Sequence, residues 1–168
     1  MSTEITETVV LTEDIKEKID TWVAKFPVGK QRSAIIGSLH AVQEHNQGYL
    51  TPELMDAVAD YLDQPRIYVY EVATFYSMFQ TKPVGRNEIA ICTYISCMLS
   101  GSDMIVQHIE DRLNIKLGES TKDGNIFLKK EEECLAACTG APMMMVNHHY
   151  IENLDIEKVN KILDELEQ

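Results

Sequence analysis

The sequence predicts an α+β protein in two parts, an N-terminal helical bundle over residues 1–80 and a mixed strand-and-helix domain over residues 81–168. Three observations predict it. Apolar residues recur at helical spacing through the first half, alternating strand-like runs appear only after Lys82-Pro83-Val84-Gly85, and all four cysteines lie beyond that point as two tight pairs. At 168 residues with 45% hydrophobic content, the chain is long enough to bury a core in an ordinary domain with a packed extension.

In the first half, Ile15, Ile19, Trp22, Val23 and Phe26 form a helical stripe that stops at Pro27-Val28-Gly29. Ile35, Leu39 and Val42 form a second, ending near Gly48. Thr51-Pro52-Glu53 opens a third helix: Thr51 caps it, Pro52 fits the first helical position where no N–H is needed, and Glu53 favours the helix dipole. Leu54, Val58 and Tyr61 are its expected buried face. A fourth helix is expected over residues 67–79, with Tyr68, Val72, Phe75, Tyr76 and Phe79 as an aromatic face read as core, a partner contact being the lesser alternative.

In the second half, Glu88-Ile89-Ala90-Ile91-Cys92 alternates like a strand, and Ile105, Ile109 and Leu113 after Ser102 mark a helix. Asp123-Gly124 signals a turn before the short strand Ile126-Phe127-Leu128. Pro142-Met143-Met144-Met145-Val146-Asn147 is an apolar strand, and residues 156–166 a closing helix. The order strand, helix, strand, strand, helix is that of a thioredoxin-like domain.

The net charge of −12 argues against a nucleic-acid partner, because phosphate neutralisation needs a clustered basic face. The charge is not a tail: residues up to Gln80 carry 6 basic and 12 acidic side chains, and the rest 9 and 15. Apolar runs such as Met143-Met144-Met145-Val146 are far shorter than a membrane span, and the N-terminus shows no apolar signal segment. Glu4, Glu7 and Glu13 without any Arg or Lys in residues 1–13 are unlike a mitochondrial transit peptide. The expectation is a soluble intracellular protein of bacterial origin, or an already processed one.

The cysteines fall as Cys92-x4-Cys97 and Cys134-x3-Cys138. In a reducing compartment such pairs suit metal ligation better than disulfides. A 2Fe-2S cluster needs two thiolates per iron and backbone N–H groups to stabilise its charge. Amides of residues 93–96 after the strand, and the small Ala136, Ala137 and Gly140 around the second pair, suit that role. A four-thiolate zinc site accepts the same spacing, and the residues alone leave both open. A thioredoxin-type dithiol fits less well, since neither pair is Cys-x-x-Cys. Met143, Met144 and Met145 read as core, His148 and His149 as surface residues, and His40 and His45 as ordinary helix residues. There is no nucleophile-and-base arrangement, phosphate-binding loop or dinucleotide-binding glycine motif.

Several segments in order carry a resemblance: Glu71-Val72-Ala73-Thr74-Phe75-Tyr76 with Phe79, then Cys92-x4-Cys97, Gly118-Glu119 with Asp123-Gly124, Glu133-Cys134-Leu135-x-Ala137-Cys138, and Ala141-Pro142. Together they resemble the 24 kDa-type 2Fe-2S subunit family of respiratory complex I, shared with small subunits of NAD-linked hydrogenases and formate dehydrogenases. The resemblance implies a helical bundle followed by a thioredoxin-like ferredoxin domain. It also implies a 2Fe-2S cluster with Cys92 and Cys97 on one iron and Cys134 and Cys138 on the other, and docking on a larger flavoprotein subunit that carries FMN and binds NADH. The chain would then transfer electrons without a catalytic site of its own, at the cytoplasmic face of a bacterial membrane and held there through the complex. Many relatives have Pro where this chain has Ser96 and Gly where it has Ala136; Ala136 is awkward if its backbone needs a positive φ, and the Ser96 hydroxyl can raise the cluster potential. The analogy with thioredoxin-like folds also predicts a cis Ala141-Pro142 bond.

Overall fold

In the computed structural model of the protein, the described residues are 11–130 and 134–167. Glu4 and Glu7 of the acidic N-terminus, and Glu133 of the second cysteine motif, lie outside them. The chain divides into two compact units, one ending at Pro83 and the other beginning at Val84.

Among the described residues the first unit contains four helices, α1 (Glu13–Val23), α2 (Ile35–His45), α3 (Pro52–Tyr61) and α4 (Arg66–Phe75), with a short 3-10 turn at Gln31–Ala34 leading into α2. Caps set two of the starts. The Thr12 hydroxyl accepts from the Ile15 amide at 3.4 Å and the Thr51 hydroxyl from the Leu54 amide at 3.3 Å, with Pro52 at the first helical position of α3. Ile15, Ile19, Ile35, Leu39, Val42, Leu50, Val58, Val69 and Phe79 share one core. Polar groups tie down the chain after α4: Gln43 Nε2 donates to the Met78 carbonyl at 3.0 Å, while Gln43 Oε1 accepts from the Gln80 amide at 2.8 Å. His40 joins this packing, 3.2 Å from the Met78 sulfur and with its ring tilted at 50° against Phe79.

Three expectations for this half need correction. Tyr61 is not buried; its phenol reaches α1 and donates to Asp20 Oδ1 at 2.9 Å, so its polar tip stays wet while the ring packs. The fourth helix ends at Phe75 rather than at 79, because Tyr76 turns to extended backbone (φ −87°, ψ 126°). That break divides the aromatic face. Phe79 is buried and Tyr68 and Val72 half-buried, whereas Phe75 is 80% exposed with its ring edge-on to Tyr76.

The second unit is built on a five-stranded sheet of order β2-β3-β1-β4-β5, with β1 (Asn87–Ile91), β2 (Glu119–Ser120), β3 (Ile126–Leu128), β4 (Met144–Val146) and β5 (His149–Ile151). β1 pairs in parallel with β3, with Ile89 opposite Leu128, and antiparallel with β4, with Ile91 opposite Met144. The parallel pair requires a crossover, which α6 (Ser102–Leu113) supplies after the short α5 (Ile95–Leu99). The closing helix α7 (Ile156–Leu166) is capped by Asp155, which accepts from the Lys158 amide at 2.7 Å. Ile105 and Ile109 of α6 and Val159 and Leu163 of α7 bury against Ile89, Ile91, Ile126 and Leu128. Arg112 joins the two helices, donating to Asp164, Glu167 and the Asn160 carbonyl. Ile89, Ala90 and Ile91 are all buried, so the central strand is covered on both faces and not alternately wet and dry.

Gly85 enters the sheet against the backbone of β3. A Cβ there would lie 2.4 Å from the Ile126 carbonyl carbon, and that strand cannot retreat without breaking its pairing with β1. Gly85→Ala should therefore cost about 1–3 kcal/mol. A denaturant titration should show the lower midpoint, and an unchanged midpoint would contradict the close approach.

Candidate metal centre

The four thiols are assembled from two loops of the second unit. Cys92 directly follows β1, and its amide donates to the Met143 carbonyl at 3.1 Å, so the strand pairing continues to the edge of the site. The chain then turns at Tyr94 into α5, which presents Cys97 on its inner side; Cys92 and Cys97 are 3% and 2% exposed. The second loop carries Cys134 and Cys138, both exposed, and ends in a 3-10 turn at Cys138–Gly140. None of the four is in a disulfide.

Hydrogen bonding and charge show how they meet. Burial pushes the Cys92 thiol up, but the Leu135 and Tyr94 amides and the Cys97 and Cys134 thiols, all directed at its sulfur, outweigh that and hold it below the ordinary thiol value. Cys97 goes the other way. Burial, its hydrogen bond with Cys92 and the charges of Cys92 and Cys138 raise it, against a lowering contact from the Met143 amide. Of this buried pair, Cys92 is the thiol that ionises more readily. The thiols meet around Cys92: Cys92 with Cys97, Cys92 with Cys134, and Cys97 within Coulombic reach of Cys138.

The surroundings are shaped by the cis Ala141-Pro142 peptide, which is present as expected. It separates the Cys138 turn from β4 and leaves the Pro142 carbonyl to accept from the Leu154 amide at 2.9 Å. Leu135 and Met143 close the site from within, with Ala137, Ala141 and Met145 packed around them. Gly140 lies under the Glu152 side chain, where a Cβ would come within 2.5 Å. His148 and His149 are exposed at the turn between β4 and β5. Ala136 has φ +57°, the left-handed conformation that a glycine would adopt without strain.

Residues 19–167 match the thioredoxin-like [2Fe-2S] ferredoxin family. The chain belongs to that family. This ferredoxin's relatives include an NADH-quinone oxidoreductase subunit of Rickettsia felis, 42% identical over 168 residues that cover 98% of this chain and 96% of that one. Its counterpart in an NADH-quinone oxidoreductase of Rhizobium meliloti is 39% identical over 150 residues, covering 89% and 87%. Among solved structures, an NAD+-reducing [NiFe]-hydrogenase in the air-oxidised state shares the fold with a TM-score of 0.67 at 20% identity. That likeness covers 77% of this chain but 22% of the hydrogenase chain.

The residues present fit the 2Fe-2S cofactor of the family. Four free thiols supply the donor set, and the Leu135, Tyr94 and Met143 amides already point at the two buried sulfurs, as a negatively charged group requires. Spacing brought the cysteines and the small residues to notice. It gave no sign that Cys97 lies inside the short helix α5, or that Leu135 and Met143 are amide donors. Backbone donors have no residue-type signal, so only the fold reveals them.

Replacing Ala136 by Gly should raise stability by about 0.5–1 kcal/mol, the left-handed cost for an L-residue less the entropy a glycine loses on folding. Chemical denaturation of the two proteins side by side tests this. A destabilised Ala136→Gly protein would mean that the methyl group packs where the backbone geometry says it does not.

Proposed function

We propose that this ferredoxin is the small electron-carrying subunit of a bacterial NADH:quinone oxidoreductase, holding one 2Fe-2S cluster through Cys92, Cys97, Cys134 and Cys138. One observation carries the choice of complex: similarity to the Rickettsia felis NADH-quinone oxidoreductase protein spans 98% of this chain and 96% of that relative. The hydrogenase likeness, at 20% identity, speaks for the fold alone.

The bound cluster supplies one-electron chemistry. The chain's own residues do the rest. Cys92 and Cys97 would hold one iron and Cys134 and Cys138 the other. Burial of the first pair among Leu135 and Met143 keeps water from that side, while the exposed second pair opens toward solvent and any donor. The Leu135, Tyr94 and Met143 amides offset negative charge on the sulfurs, which favours the more reduced and more negative state.

The donor on this reading is the FMN of a larger flavoprotein subunit that oxidises NADH, so this chain needs no catalytic apparatus of its own. Among the described residues no helix is long and apolar enough to cross a membrane. Attachment to the cytoplasmic face of the membrane would then come through the other subunits.

Anaerobically purified protein mixed with the flavin-bearing subunit should lose visible absorbance on addition of NADH and develop a rhombic EPR signal. A cluster that dithionite reduces but NADH with the flavoprotein does not would contradict this donor. Cys134→Ser should strip most of the iron while the helical unit, whose core is separate, keeps its circular dichroism. Full iron content in that variant would remove Cys134 from the ligand set.

A further inference from the structure

The hydroxyl oxygen of Ser102 is buried and has no hydrogen-bond partner, in a residue that is itself fully buried. A hydroxyl shut away without a partner costs free energy that folding does not recover, so native proteins seldom leave one idle. Such an atom calls for a group from outside the chain.

Ser102 opens α6, and the far end of that helix is fixed. Arg112 near its C-terminus donates to Asp164 and Glu167 at the end of α7, and the Leu166 carbonyl there accepts from Asn125, just before β3 begins. β3 begins beside the start of β1, at the end of the sheet away from the cysteines. At about 18 Å, the twelve residues of α6 span the sheet, so its N-terminus lies at the other end, where β1 stops and Cys92 follows. Only Ser100 and Gly101 separate α6 from α5, and the Ser100 amide donates to the Cys97 carbonyl at 3.1 Å. Ser102 shares the sheet-facing side of α6 with Ile105 and Ile109, and the Cα–Cβ bond of a helical residue tilts toward the N-terminus. Its hydroxyl is thus carried on the inner side of the helix, at the end where the thiols converge.

The first turn of α6 is uncapped as well. Its N-cap is Gly101, with φ +93°, which supplies no side-chain oxygen to the first amides. Such a helix end carries partial positive charge and favours an anion. An orphaned donor and an uncapped helix end together call for a buried, negatively charged hydrogen-bond acceptor. A water molecule would satisfy the hydroxyl but leave the field of the helix unused. Ser96, whose hydroxyl stood out in the sequence, is exposed and is not held in this way.

We propose that Ser102 completes the cluster site: its hydroxyl donates to a sulfur of the 2Fe-2S cluster held by Cys92, Cys97, Cys134 and Cys138, and that bond raises the cluster's reduction potential. The proposal rests on the ligand set of the functional reading above. Donation to sulfur stabilises the more negative, reduced state more than the oxidised one, so the donor draws the potential upward.

The test uses the full-length chain with its cluster, purified anaerobically, as wild type, Ser102→Ala and Ser102→Thr. At the wild-type midpoint potential, the ratio of reduced to oxidised cluster in Ser102→Ala should fall about tenfold, which is about 59 mV for one electron. Ser102→Thr keeps the hydroxyl and should return the ratio toward the wild-type value. Pulsed EPR of the reduced wild type should show an exchangeable proton coupled to the cluster that is lost in Ser102→Ala and kept in Ser102→Thr. Loss of packing alone would not remove that coupling. An unchanged potential, or a coupling that persists in iron-loaded Ser102→Ala, would overturn the role of the hydroxyl and leave the electron-carrier function standing. Should Ser102→Ala fail to fold or to hold iron, a crystal structure of the loaded wild type decides. Ser102 Oγ within hydrogen-bonding reach of a cluster sulfur supports the proposal, and Oγ bonded only to water or protein overturns it. A wild-type chain that binds no iron would overturn the proposal together with the ligand set beneath it.

Discussion

Convergence of thiols at one end of a small mixed sheet is the constraint from which the second unit is built. Ionised thiolates a few ångströms apart repel, and removing two of them from water raises the cost further. The fold answers with backbone dipoles. Cys92 stands at the end of the central strand, where its own amide continues the pairing to Met143, and the Met143 amide in turn faces Cys97. Leu135 from the second loop brings its amide to Cys92. The loops are therefore held to each other by the same contacts that prepare the sulfurs for a cofactor.

The same constraint explains why the sheet is mixed. A parallel β1–β3 pair with α6 as its crossover places the loop after β1, with Cys92 and Cys97, at the same end as the loop after β3, with Cys134 and Cys138. The antiparallel β4, entered through the cis Ala141-Pro142 peptide, closes that end from the other side of β1. Behind the site, Ile105, Ile109, Val159 and Leu163 fix α6 and α7 to the sheet. The site thus rests on a rigid core, while the exposed pair Cys134 and Cys138 is open to a partner.

Much of this was legible in the residues. Helical periodicity located all four helices of the first unit, and the Thr51-Pro52 cap was read with its function. In the second unit, the Asp123-Gly124 turn, the β1 and β4 runs and the closing helix were recognisable. What sequence could not supply was burial. Phe75 and Phe79 belong to one aromatic stripe, yet one is exposed and the other is core, because α4 stops at Phe75. β2, β5 and α5, at 2, 3 and 5 residues, are too short for periodicity to show. The cysteine site was legible as four residues but not as a geometry, since its amide donors are backbone groups. Ala136 is the exception: a departure from glycine flagged a position in the second loop where backbone conformation, not side chain, is at issue.

On the proposed reading these four thiols would hold a 2Fe-2S cluster rather than a single metal ion. X-ray absorption at the iron edge, on anaerobically purified full-length protein, tests that claim most directly. Each iron should be surrounded by four sulfurs with a second iron as near neighbour. Absorption at the zinc edge instead, with four sulfurs and no metal neighbour, would contradict it.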